Sequence, residues 1–92
     1  IKELIKDIQK SHPVILDGKR GDIGNTASMQ ARYIYEILSA DACTLNPYMG
    51  LDAIGPFLQY KNKFNFILAL TSNPSASQFQ KLQLDSAQYD VL

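Results

Sequence analysis

Val14-Ile15-Leu16-Asp17-Gly18-Lys19-Arg20-Gly21-Asp22-Ile23-Gly24-Asn25-Thr26 is the stretch that decides how this chain folds. Pro13 pushes the residue before it out of the helical region, and the three apolar residues that follow fit a short strand buried on both faces, expected over Pro13 to Asp17. Gly18, Gly21 and Gly24 break up the next eight residues. Asn25 and Thr26 offer capping side chains to a helix expected from about residue 26 to 39, on which Ala27, Ala31, Ile34, Tyr35 and Leu38 keep helical spacing. A buried strand, a polar glycine-rich turn and a helix make one βα unit.

The same rhythm continues outward. Upstream, Ile1, Leu4, Ile5 and Ile8 recur at i, i+3, i+4 and i+7 with Lys, Glu, Asp and Gln between them, which is an amphipathic helix. Downstream, Ala42 to Leu45 is a second apolar strand, and Asn46-Pro47-Tyr48-Met49-Gly50 closes it as a loop. A third helix is expected from about Asp52 with Pro56 in its first turn, where amide hydrogens lack helical partners anyway. Phe64 to Leu70 reads as the third strand, and Thr71 to Ser75 as a loop rich in hydroxyls.

Helix, strand, helix, strand, helix, strand is the order of crossovers on a parallel sheet. Three strands cannot close a barrel, and a parallel sheet needs cover on both faces. The expected fold class is therefore α/β, with residues 1–92 forming one partial domain, about three central βα units, of a (β/α)8 TIM barrel of roughly 250 residues. The opening at Ile1, with no Met and no basic or apolar leader, reads as a piece of a longer chain.

Composition narrows the function. Nine Lys plus Arg balance nine Asp plus Glu, so there is no summed field to hold a nucleic-acid backbone or an anionic membrane. The longest apolar runs, such as Phe66 to Leu70, fall far short of the roughly 20 residues that span a bilayer. A single cysteine, Cys43, excludes an intrachain disulfide and fits a reducing compartment.

In parallel α/β folds the chemistry gathers at the carboxyl ends of the strands, here Asp17 to Asp22, Asn46 to Gly50 and Thr71 to Ser75. Asp17 and Lys19 are two residues apart, so an extended strand end points both the same way, and in a barrel that way can be inward. The bland alternative is a salt-bridged strand end. Other residues read as structural: His12 as a surface or capping residue, Cys43 as a small buried hydrophobe, and Tyr33, Tyr35, Phe57, Phe64 and Phe66 as core, with Tyr33 or Tyr35 possible at a subunit interface.

Asp17 to Thr26 resembles the Asp-x-Lys-x-x-Asp-Ile-x-x-Thr signature of the orotidine 5′-monophosphate decarboxylase family, which are (β/α)8 barrel enzymes. Thr44 to Asp52 is similar to the loop after the next strand in that family's longer, second subgroup, and Leu70 to Ala76 resembles the loop whose serine touches the pyrimidine. The resemblance implies that Lys19 is the general acid that protonates C6 and that Asp17 lies beside the substrate carboxylate. It further implies that Asp22, with Ile23 and Thr26, reaches into a partner subunit's site and that Ser72 contacts the base. It implies a cytoplasmic homodimer with shared sites that uses no metal or organic cofactor. A further lysine, an aspartate and a phosphate-binding arginine of the family have no match here, since Lys2, Lys6 and Lys10 sit on the amphipathic helix.

The chemistry suits those residues. Loss of a carboxylate from an sp² ring carbon leaves a localised carbanion, which preorganised charge must stabilise when no cofactor does. An ammonium about 3 Å away does so and then supplies the proton. The rival on the same barrel is 3-keto-gulonate 6-phosphate decarboxylase, which resembles the family in Asp-x-Lys-x-x-Asp but uses magnesium. Asn25-Thr26 and the Thr71 to Ala76 loop favour the nucleotide enzyme, and a non-catalytic structural piece is the remaining alternative.

Overall fold

The computed structural model describes residues 1–84. Helices and strands alternate through it as α1 (Lys2–Ile8), β1 (Ile15–Arg20), α2 (Gly24–Arg32), β2 (Ala42–Leu45), α3 (Leu51–Leu58) and β3 (Phe64–Ile67). A 3-10 turn over Pro74–Gln78 follows. The three strands form one parallel sheet in the order β1-β2-β3, so each strand lies beside the next one in the chain. The expected rhythm of βα units is what forms.

The core sits between the sheet and its helices. Cys43 and Leu45 of β2 pack with Ala31 of α2, Ile34 and Tyr35 just beyond it, Ala40, and Phe57 of α3, while Leu16, Ile54 and Tyr60 close the edges. The Tyr35 ring meets Phe57 edge-on, with centroids 6.1 Å apart. Its hydroxyl lies 2.6 Å from Asn65 Oδ1, 2.9 Å from the Phe64 carbonyl oxygen and 3.0 Å from Cys43 Sγ. A buried hydroxyl without such partners would be costly. Burial also pushes the Tyr35 hydroxyl and the Cys43 thiol up from their ordinary pKa values.

Tyr35 reaches that position through an irregularity. α2 passes directly into a π-helical stretch, Tyr33–Ile37, in which the Leu38 N–H donates to the Tyr33 carbonyl at 2.8 Å. The widened turn is a local feature of the kind found as single π-bulges inside helices. At the amino end of the sheet, the Asp41 carboxylate accepts from the Val14 N–H at 2.7 Å and from Gln9 Nε2 at 3.1 Å, tying the end of α1 to the strands. The Val14 bond, before the Gln9 one, holds Asp41 below the usual carboxylate range.

Several expectations need correction. β1 is not buried on both faces: Ile15 is 53% exposed, and on the same side of the sheet Phe64 is 72% and Phe66 51% exposed. Among the described residues helices cover one face only, so these aromatic residues lie outside the core that Tyr35 and Phe57 join, and Tyr33 at the end of α2 is exposed as well. For the same reason only Ile5 of the α1 stripe is buried, with Ile1, Leu4 and Ile8 exposed. β1 starts and ends later than the apolar run implied, and β3 stops at Ile67, three residues early. α2 begins at Gly24, so Asn25 and Thr26 fall inside its first turn and cap nothing. Pro56 lies past the first turn of α3, where its missing N–H forgoes the bond to the Asp52 carbonyl.

Candidate active site

Polar side chains gather at the carboxyl end of β1 because the strand is irregular there. Leu16 pairs with Cys43 and Arg20 with Leu45, so three residues of β1, Asp17, Gly18 and Lys19, stand opposite Thr44 alone. Such a bulge bends a strand and re-aims its side chains. Lys19 absorbs the excess with a φ of +46°, in the left-handed region that a residue with a Cβ seldom enters. Asp17 and Lys19 therefore do face the same way, but through a bulge and not through the regular alternation that their spacing implies.

The geometry is tight where the backbone is strained. Lys19 Nζ donates to Asp17 Oδ1 at 2.7 Å. Thr44 Oγ1 donates to that same oxygen at 2.7 Å and accepts from the Lys19 N–H at 2.9 Å. The hydrogen bond from Lys19 first, and that from Thr44 second, hold the Asp17 carboxyl below the ordinary aspartate range. Lys19 and Asp17 are 55% and 63% exposed, so the ion pair is screened and adds little to stability. It lies on the face of the sheet that no described helix covers.

The loop after β2 is held against this one. Gly21 packs so closely on Asn46 that a Cβ there would come within 3.0 Å of the Asn46 Cβ, which is why glycine stands at this position. The Asn46 N–H donates to the Arg20 carbonyl at 2.7 Å, and Asn46 Oδ1 accepts from the Tyr48 N–H at 2.9 Å. After β3, Gln80 clasps Thr71 twice: its Oε1 accepts from the Thr71 N–H at 2.7 Å and its Nε2 donates to Thr71 Oγ1 at 2.8 Å. Ser72 is exposed beside a hollow of about 400 Å³ shared with Thr71, Asn73 and Lys81.

The six residues singled out from sequence fall into three places. Asp17 and Lys19 form the pair. Asp22, Ile23 and Thr26 are exposed along the turn into α2, where Asp22 Oδ1 accepts from the Ile23 N–H at 2.8 Å. A groove of about 730 Å³ between β1 and α2 is lined by both Asp17 and Thr26, but not by Asp22. Ser72 stands apart at the end of β3. Thr44 and Gln80 were missed by sequence reasoning. A hydroxyl inside the otherwise apolar Ala42 to Leu45 run was the available signal for Thr44, and Gln80 had none.

A parallel sheet with helices on one side, an open face on the other, and lysine, carboxylate and hydroxyl groups at the carboxyl ends of its strands belongs to the class of (β/α)-barrel enzymes. The family model described as "Orotidine 5'-phosphate decarboxylase / HUMPS family" matches residues 1–92. The chain belongs to that family. It is 46% identical over 91 residues to an orotidine 5′-phosphate decarboxylase of Porphyromonas gingivalis, covering 96% of this chain and 33% of the relative. A relative of the same name from Leptospira interrogans is 54% identical over 69 residues, 75% of this chain and 25% of its own length. The solved OMP decarboxylase of Leishmania donovani superimposes with a TM-score of 0.86 at 40% identity, over 92% of this chain and 34% of that one. The chain thus spans a quarter to a third of the length of these relatives, and its three strands are a segment of their TIM barrel.

Proposed function

We propose that the protein containing this chain decarboxylates orotidine 5′-monophosphate to uridine 5′-monophosphate, in pyrimidine biosynthesis, with no metal or organic cofactor. The observation that carries this reading is the Lys19 ammonium held 2.7 Å from the Asp17 carboxylate at the carboxyl end of β1, on the uncovered face of the sheet. In this reading the bond from C6 to the substrate carboxylate breaks, carbon dioxide leaves, and the electron pair remains on C6. The Lys19 ammonium stabilises that pair and then transfers a proton to it. Lys19 is left neutral and regains its proton from solvent. Asp17 fixes the ammonium and stands beside the departing carboxylate.

Asp22, Ile23 and Thr26 serve the site of a partner subunit in a cytoplasmic homodimer. Their exposure along the turn beyond β1, with Asp22 engaged to its own Ile23 and not to Lys19, supports this assignment. Ser72 contacts the pyrimidine, and its exposed place at the end of β3 supports that role.

The test is formation of uridine 5′-monophosphate by the full-length protein in EDTA. Undiminished turnover is expected. Loss on chelation with recovery on adding magnesium would refute the cofactor-free mechanism, and no uridine 5′-monophosphate under either condition would refute the substrate.

A further inference from the structure

We propose that Thr44 is a positioning residue: its hydroxyl, bridging the Lys19 main chain and the Asp17 side chain, fixes the direction in which the Lys19 ammonium is presented. The inference rests on the decarboxylase reading above for what the ammonium does, and on geometry alone for what Thr44 does.

A threonine hydroxyl has one proton to donate and lone pairs to accept with. Here both capacities are used within the same bulge. Thr44 Oγ1 accepts from the Lys19 N–H at 2.9 Å and donates to Asp17 Oδ1 at 2.7 Å. Asp17 Oδ1 in turn accepts from Lys19 Nζ at 2.7 Å. The hydroxyl, the carboxylate and the lysine therefore close a ring in which both the backbone and the ammonium of Lys19 are fixed. Thr44 is the only residue of β2 between the two flanking strand pairs, so no other side chain of that strand stands opposite the bulge.

Strain gives the ring its purpose. A φ of +46° at Lys19 persists only where surrounding contacts over-determine it, and such residues cluster at functional sites. The bond from the Lys19 N–H to Thr44 is made by the strained residue itself. Among the described residues no side-chain bond is made by Asp17 Oδ2, which leaves that oxygen available to meet a substrate while Oδ1 does the holding. Neither effect requires Thr44 to touch substrate.

The experiment compares Thr44→Val and Thr44→Ser in the full-length protein, since valine keeps the shape without the hydroxyl and serine keeps the hydroxyl. Thr44→Val should lower kcat about 10- to 100-fold while KM stays within about threefold, as expected for a misplaced reacting group. Thr44→Ser should stay within about threefold of the parent in both, and the two variants should unfold with the parent. The carboxyl ¹³C titration of Asp17 gives a readout independent of turnover. Among the described residues Lys19 on β1 and Thr44 on β2 are the groups that lower it, so its midpoint should rise in Thr44→Val and not in Thr44→Ser.

Parent-like kcat in Thr44→Val, or an equal loss in Thr44→Ser, would overturn the positioning role. If the parent itself does not convert orotidine 5′-monophosphate, the decarboxylase reading fails while the titration still decides the role of Thr44. An Asp17 midpoint unchanged in Thr44→Val would then overturn it.

Discussion

Cys43 and Leu45 point from β2 into a layer of helices and are fully buried, whereas Thr44 between them points to a face that no described element covers. The two faces of this one strand obey different demands. On the helix side, apolar side chains, a ring contact and a saturated tyrosine hydroxyl satisfy packing and hydrogen bonding within the chain. On the open side the strand beside Thr44 bulges, a lysine takes a positive φ, and a charged pair stands beside the exposed Ile15, Phe64 and Phe66. Each side has its irregularity, a π-helical stretch behind the packed face and a strand bulge on the open one, but the ion pair stands on the open one.

That contrast breaks most sharply on the open face. Lys19→Ala and Asp22→Ala in the full-length protein should each lower turnover by several orders of magnitude, because in the proposed reading one removes the proton donor and the other a group lent to the partner's site. Random subunit exchange in an equal mixture makes about half hybrid dimers, each with one intact site, so roughly a quarter of parental activity should return. Absence of recovery, with exchange verified by mass spectrometry, would place both residues in one subunit's site.

On the packed face the effects should fall on stability. Phe57→Ala removes a fully buried ring and should destabilise the protein by about 3–5 kcal/mol in denaturant titration, with kcat unchanged where the protein is folded. Tyr35→Phe leaves Asn65 and Cys43 short of a partner and should cost about 1–2 kcal/mol. A loss of turnover without a loss of stability in either variant would erase the distinction between the faces.

Smaller effects sharpen it. Ser72→Ala should weaken uridine 5′-monophosphate binding by about 1 kcal/mol, roughly fivefold, and leave ribose 5-phosphate binding unchanged. Equal losses for both ligands would make Ser72 structural or assign it to the phosphate. The smallest change concerns pH. Asp17 has a lowered pKa, so its pairing is present above the ordinary aspartate range and is lost only as pH falls through the lower, folded value. Between about pH 8 and pH 5 its carboxyl ¹³C signal should therefore not move. A midpoint inside that interval would show that Lys19 and Thr44 do not hold the carboxylate.

The packed face was largely legible in the sequence, and the open face only in part. Ala42 to Leu45 was bounded correctly because a strand flanked by an aspartate on one side and Asn-Pro on the other has nowhere else to end. The segment as a barrel piece followed from the alternation of apolar runs with helical spacing. What escaped depends on contacts that no local pattern encodes. The bulge adds residues to one strand without any compositional mark, so the Asp17–Lys19 pairing was anticipated from regular pleating and forms by another route. Asn25 and Thr26 have capping side chains, yet Gly24 with a φ of +63° lets the helix begin before them. The π-helical stretch at Tyr33–Ile37 looks like any helix in sequence, and its register shows only in the bond from Leu38 to Tyr33. Exposure of Ile15, Phe64 and Phe66 was unforeseen because apolar strands in parallel sheets are ordinarily covered on both sides, and here the described helices cover only one.

In the proposed reaction the bulge at Asp17 to Lys19 delivers an ammonium to the reacting carbon. A crystal structure of the full-length protein with uridine 5′-monophosphate bound tests it most directly. Lys19 Nζ should lie within about 3 Å of C6, with the Lys19 φ still positive and Thr44 still bridging it to Asp17. A pyrimidine bound with C6 turned away from Lys19, or with another group at that distance in its place, would contradict it.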